Sequence, residues 1–95
     1  MTDAARIPIQ VSGHLRDHCG ASAEVAVSAR TVREALEGLE HDHAALHRSV
    51  CDETGTVRRH IGVFVNASHI RDLDGLDTVL APGDVMIILP AISGG

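Results

Sequence analysis

The residues with the clearest chemistry stand at the end of the sequence, which closes Leu89-Pro-Ala-Ile-Ser-Gly-Gly95. Pro90 has no amide donor and punctuates the apolar run before it. The stretch from Ala91 to Gly95 spans up to roughly 17 Å when extended. Gly94 and Gly95 have no side chains, so they thread a narrow slot and take backbone angles closed to other residues. With the α-carboxylate on Gly95, such an ending is expected to deliver a carboxylate into another protein's active site.

Two cysteines and seven histidines supply the other reactive groups. Cys19 and Cys51 form no CxxC pair, and with no export signal they read as reduced thiols. Thiol–imidazole catalysis by Cys19 with His18, or Cys51 with His47, needs a spatial arrangement that neighbours in sequence seldom give. His43 and His47 share a helical face with His41 close by. No HExxH or Cys-rich spacing accompanies them. They read as a solvated helix end, and no metal site is expected. There is no P-loop and no GxGxxG, so the chain is not expected to bind ATP alone.

These groups must sit on one small domain of 95 residues, with 44% apolar and 22% charged residues. The net charge is −5, and all eight basic residues are arginine. With one Phe, no Trp and no Tyr, the chain lacks both the phosphate clamp and the stacking platforms of a nucleic-acid binder. No apolar run is long enough to cross a bilayer, and Met1 to Gln10 show no signal segment, so a cytoplasmic location is expected. Without lysine, neither a lysine Schiff base nor an isopeptide bond on this chain is available.

Arg6–Val11 alternates Ile7, Ile9 and Val11 and predicts a strand, with Pro8 weakening its claim to a central place. Ser12–Ala23 reads as a connection. Glu24–Ser28 predicts a second, antiparallel strand. Thr31-Val-Arg-Glu34 is a capping-box pattern, in which Glu34 should reach back to the cap amide. Val32, Ala35, Leu36 and Leu39 then share the face of a helix running to about His41. Ala44–Val50 predicts a further turn or two, and Asp52–Thr56 a polar loop. Ile61–Val65 predicts a strand with Phe64 opposite Ile61, Val63 and Val65. His69–Arg71 should return as a short strand, and Asp74–Asp77 holds a turn. Val85–Leu89 suits a central strand with cover on both faces. One main helix covers one face of such a mixed sheet. The other face, with Phe64 on it, then either meets a partner or lies under a loop such as Asp52–Arg59.

Gly83-Asp84, an apolar strand, Pro90, a short small-apolar stretch and Gly94-Gly95 resemble, in that order, the β-grasp, ubiquitin-like sulfur carriers. That family holds the small subunit of molybdopterin synthase and the thiamine sulfur carrier. The capped helix after two strands and Val63-Phe-Val-Asn66 extend the resemblance over most of the chain. It implies an α+β β-grasp fold of four to five strands, residues 1–90, with a flexible diglycine tail at 91–95. The tail, the long stretch before the third strand and Arg58-Arg59 look most like the carrier that feeds a cysteine synthase. The molybdopterin type usually has two prolines where this chain has Pro90 and Ala91.

The resemblance implies that a partner enzyme uses ATP to adenylate Gly95, and that sulfur then replaces AMP to leave a thiocarboxylate. Gly94 gives access to the partner's site. A sulfur-accepting enzyme, for cysteine a pyridoxal-phosphate enzyme, would take the sulfur, and a metallopeptidase would release the product. The chain itself would be no enzyme and would bind no cofactor. Alignment with the family pattern turns Met86 and Ile88 to the core and Val85, Ile87 and Leu89 outward beside Phe64. Phe64, Ile87 and Leu89 are the expected docking residues, and a slip of one residue would invert them all. Arg58-Arg59 read as solvated, with an acidic partner surface as the alternative. A protein modifier and a molybdopterin synthase subunit are the rival functions.

Overall fold

The computed structural model describes residues 4–11 and 24–90. Five strands form one sheet: β1 (Ala5–Val11), β2 (Glu24–Ala29), β3 (Ile61–Val65), β4 (Ser68–His69) and β5 (Met86–Pro90). Their order across the sheet is β2-β1-β5-β3-β4. β1 pairs antiparallel with β2 and parallel with β5, and β3 is antiparallel to β4 and β5. The sheet is therefore mixed, with β5 at its centre.

Alternation in the strands decides which side is filled. Ile7, Ile9, Val25, Val27, Ile61, Val63, Val65, Met86 and Ile88 are all buried on one face. Against them packs α1 (Val32–Asp42), which buries Val32, Ala35, Leu36 and Leu39. That is the spacing read from the sequence, and each such large side chain contributes about 1.5–3 kcal/mol by leaving water. Gly38 lets α1 approach closely, because a Cβ there would stand 3.2 Å from Cβ of Val27.

The helix start follows the sequence with one change. Thr31 Oγ1 accepts from the Glu34 amide at 3.2 Å. Glu34 reaches past the cap and accepts from the Arg30 amide instead, at 2.9 Å. The Val32 amide is already satisfied by the Thr78 carbonyl, at 3.0 Å, so the first turn is fixed by tertiary as well as local bonds.

One helix does not do all the covering. α2 (Ala44–Val50) adds Leu46 and Val50, both fully buried, to the same core. Pro8 stands in β1 because the β5 ladder begins only at Ile9, which leaves β2 as its one partner strand at that point. The return strand is Ser68–His69, not His69–Arg71. Ile70–Asp72 curls into a 3₁₀ turn, which drops Ile70 into the core. Gly75–Asp77 forms the single helical turn expected after Asp74.

The segment 52–59 does not cover the second face of the sheet. Asp52 Oδ1 accepts from the amides of Thr54 and Thr56 at 2.9 and 3.1 Å. Cys51 bridges Val57, and Val57 packs on the core. Arg58 Nε donates to the Arg48 carbonyl at 2.9 Å. These bonds hold the loop on the helical side, where it borders a cavity with Leu36, Glu37 and Glu40 of α1. Of the two covers expected for the second face the loop is thus excluded, and among the described residues Val85, Ile87 and Leu89 stay half-buried there.

Candidate functional site

The face that no described residue covers gathers its apolar side chains around β5. The register sets Phe64 opposite Ile87, Gly62 opposite Leu89 and Gln10 beside Ile87. Met86 and Ile88 are fully buried on the other side, as the expected register requires. Phe64, Ile87 and Leu89 therefore share one face and are brought together by hydrogen-bonded neighbours. Gln10, exposed, ends the apolar patch on the β1 side.

Two residues that the sequence reading passed over shape this patch. Gly62 makes room for the Phe64 ring: a Cβ on it would lie 3.2 Å from Phe64 Cε1 and 3.9 Å from Leu89 Cδ1. His69, opposite Phe64 on β4, meets its ring edge-on, with centroids 5.0 Å apart and an angle of 68° between planes. The imidazole is held by its own turn, since Nδ1 accepts from the Arg71 amide at 3.1 Å. A glycine two residues before an aromatic was the one available signal for the first. The second depended on a turn of known length.

That turn is fixed by polar bonds. Asn66 adopts a left-handed φ of 55°, a conformation asparagine tolerates better than most residues. Its side chain accepts from the Val85 amide at 3.2 Å and donates to Asp84 Oδ1 at 3.1 Å. Asp84 Oδ2 in turn accepts from the Ala81 amide at 2.9 Å. Gly83, at φ 95°, completes this second turn. The entry to β5 and the β3–β4 hairpin are thereby tied together, and the alignment of Phe64 with Ile87 follows.

β5 ends at Pro90, opposite Ile61. Gly94 and Gly95, with the expected tail at 91–95, lie outside the described residues, as do Cys19, His18 and Ser12–Ala23. Cys51 is buried, and burial first, with Asp52 beside it, pushes its thiol up to about 11. It stays protonated at neutral pH and is a poor nucleophile. His41 pairs with its neighbour Asp42 at 2.8 Å, and its pKa is raised first by that hydrogen bond. Among the described residues, no three His, Cys, Asp or Glu side chains come together to hold a metal ion. No helix among them is long and apolar enough to cross a membrane.

Comparison with known proteins agrees with this architecture. The sequence pattern of the ThiS family matches residues 9–95. The sulfur carrier protein CysO of Mycobacterium tuberculosis is 30% identical over 91 residues, 94% of this chain and 98% of that protein. The structure of small archaeal modifier protein 1 from Methanosarcina acetivorans superposes with a TM-score of 0.85 at 28% identity, over 97% of this chain and 98% of that one. A chain of the Amycolatopsis orientalis BexX/CysO complex does so at 0.82 and 31% identity, over 94% and 99%.

Proposed function

Since this chain belongs to the ThiS family, we propose that it is a sulfur carrier whose working group is the Gly95 carboxylate. A carboxylate is a poor electrophile. A partner enzyme therefore joins it to AMP from ATP, with release of pyrophosphate. The acyl-adenylate supplies a leaving group, and a sulfur donor displaces AMP to leave a terminal thiocarboxylate. Gly94 lets the terminus enter the partner's slot. A second partner accepts the sulfur. The likeness to the sulfur carrier protein CysO supports the carrier role; in the scheme a pyridoxal-phosphate enzyme of cysteine synthesis accepts the sulfur, and a metallopeptidase releases the product and restores Gly95. The chain is a co-substrate in this scheme, binds no cofactor itself, and works in the cytoplasm.

One structural observation carries the reading. The strand that leads toward Gly95 is the central one, and it presents Ile87 and Leu89 beside Phe64 on the uncovered face. A partner seated on that apolar patch holds the rigid root of the segment it must charge, which reduces the freedom lost on binding. The superposition with an archaeal modifier protein favours a second reading, attachment of Gly95 to another protein's lysine.

Intact-mass analysis after incubation with an adenylating enzyme, ATP and a sulfur source tests the proposal. One terminal oxygen should be replaced by sulfur. Deleting Gly95 should abolish the change and leave the circular dichroism spectrum unaltered. An unmodified full-length chain, in the presence of an enzyme active on another carrier, refutes the carrier role. High-mass adducts that survive reducing agent support the modifier reading instead.

A further inference from the structure

Carrier chemistry leaves Arg58-Arg59 unused. With Arg71 and His69 they rim a groove of about 350 Å³ whose floor is on the helical side of β3. Its floor is apolar, made by Val57, Ile61, Val63, Ile70 and Leu76. β4 pairs with β3 only at Phe64 and Val65, so among the described residues no strand lies beside Ile61–Val63 on that side. The groove is therefore open along an edge of the sheet, where an extended chain fits.

Charge indicates what fits there. The chain carries −5 overall, and among the described residues two arginines are matched by carboxylates: Arg30 by Glu34 and Arg33 by Asp77. Around the groove no arginine is bonded to a described carboxylate. Among the described residues, neither the Arg59 nor the Arg71 side chain has a hydrogen-bond or ion-pair partner, whereas Arg58 donates Nε to a carbonyl and its charge, after the Thr54 hydrogen bonds, helps hold the nearby Asp52 carboxyl down. The Arg59 and Arg71 guanidinium groups, beside an apolar floor, each keep paired donors that match a carboxylate.

We propose that this groove docks an extended acidic segment of a partner protein, with one apolar side chain on Ile61, Ile70 and Leu76 and flanking carboxylates on Arg59 and Arg71. Its apolar floor lies on the opposite face of the sheet from Phe64, Ile87 and Leu89, and the two sites adjoin at His69, which lines the groove and meets the Phe64 ring. A charging or accepting enzyme then gains a second hold, and the second hold distinguishes partners by charge.

The test is a titration of the isotopically labelled full chain, followed by amide chemical shifts, with the peptide acetyl-Glu-Val-Asp-Leu-Glu-Val-Asp-amide. Shifts should concentrate at residues 57–63, 69–71 and 75–76. Raising salt from about 50 to about 500 mM should weaken binding severalfold. The double variant Arg59→Glu/Arg71→Glu should weaken it by about tenfold or more, with Arg59→Gln/Arg71→Gln intermediate. Both exchange exposed side chains, and the unperturbed amide spectrum of each reports whether the fold is kept. Absence of shifts at millimolar peptide overturns the proposal. So do shifts centred on Phe64 and Ile87, or equal binding of the same peptide with lysine at every acidic position.

Discussion

Replacing Gly62 by alanine should leave the fold as stable as before and spoil the proposed docking face. The new Cβ would stand 3.2 Å from Phe64 Cε1, too close for ordinary contact. Phe64 is half-buried on the uncovered face, so its ring swings outward and the backbone stays. Alanine in place of strand glycine gains about 0.5–1 kcal/mol by restricting the unfolded chain. Against this, displacing the ring loses the edge contact with His69, worth about 0.5–1.5 kcal/mol. The two nearly cancel, so urea unfolding should show a change below about 1 kcal/mol, or a Tm shift under roughly 8 °C for a domain of this size. Affinity for the adenylating enzyme should respond where stability does not. A central aromatic held off its site costs about 1–2 kcal/mol, roughly a five- to thirtyfold rise in Kd by titration calorimetry. A stability loss above about 3 kcal/mol would mean that the ring cannot yield, contrary to its placement here. An unchanged Kd with a displaced ring, seen in the Phe64 and His69 proton shifts, would remove Phe64 from the docking face.

Two further outcomes follow from individual groups. Glu34 is held below its ordinary value of 4.5, first by the Arg30 amide and then by the Arg30 guanidinium. On acidification the unfolded chain therefore takes up this proton first, so the group's contribution is complete above the unfolded value and is lost as pH falls through the folded one. Glu34→Gln should flatten the rise of stability with pH below about 4.5, measured by urea unfolding at stepped pH. Cys51, raised to about 11, should resist iodoacetamide at pH 7 in the native chain and react readily in denaturant, read by peptide mapping. Rapid native alkylation would show that the thiol is not buried as described.

Much of the fold was legible because it rests on local patterns. Alternation marked β1, β2 and β3 to within a residue, and the spacing of Val32, Ala35, Leu36 and Leu39 marked α1. The choice of face for Met86 and Ile88 also came out correctly, but it needed the family pattern, since an unbroken apolar run has no period of its own. The return strand was misplaced because His69–Arg71 has no local signature that separates a strand from a 3₁₀ turn. The core's demand for Ile70 decided it. The role of Gly62 was hidden for a related reason: what a missing side chain makes room for depends on a ring two residues on and a strand from elsewhere.

The sequence by itself determined that a small acidic domain with a period-two and period-3.6 apolar pattern would bury one face of a sheet under a capped helix. These are properties of neighbours within a few residues, where chain entropy is low and propensity acts directly. Tertiary structure alone decided that β5 lies between β1 and β3, that Asn66 reaches Asp84, and that His69 meets Phe64. It alone raised the Cys51 thiol and set Arg71 beside Arg58 and Arg59 around one groove. Each of these joins parts of the chain through strand pairing, turns or exclusion of water, and such long-range contacts form only when the whole apolar face is buried together.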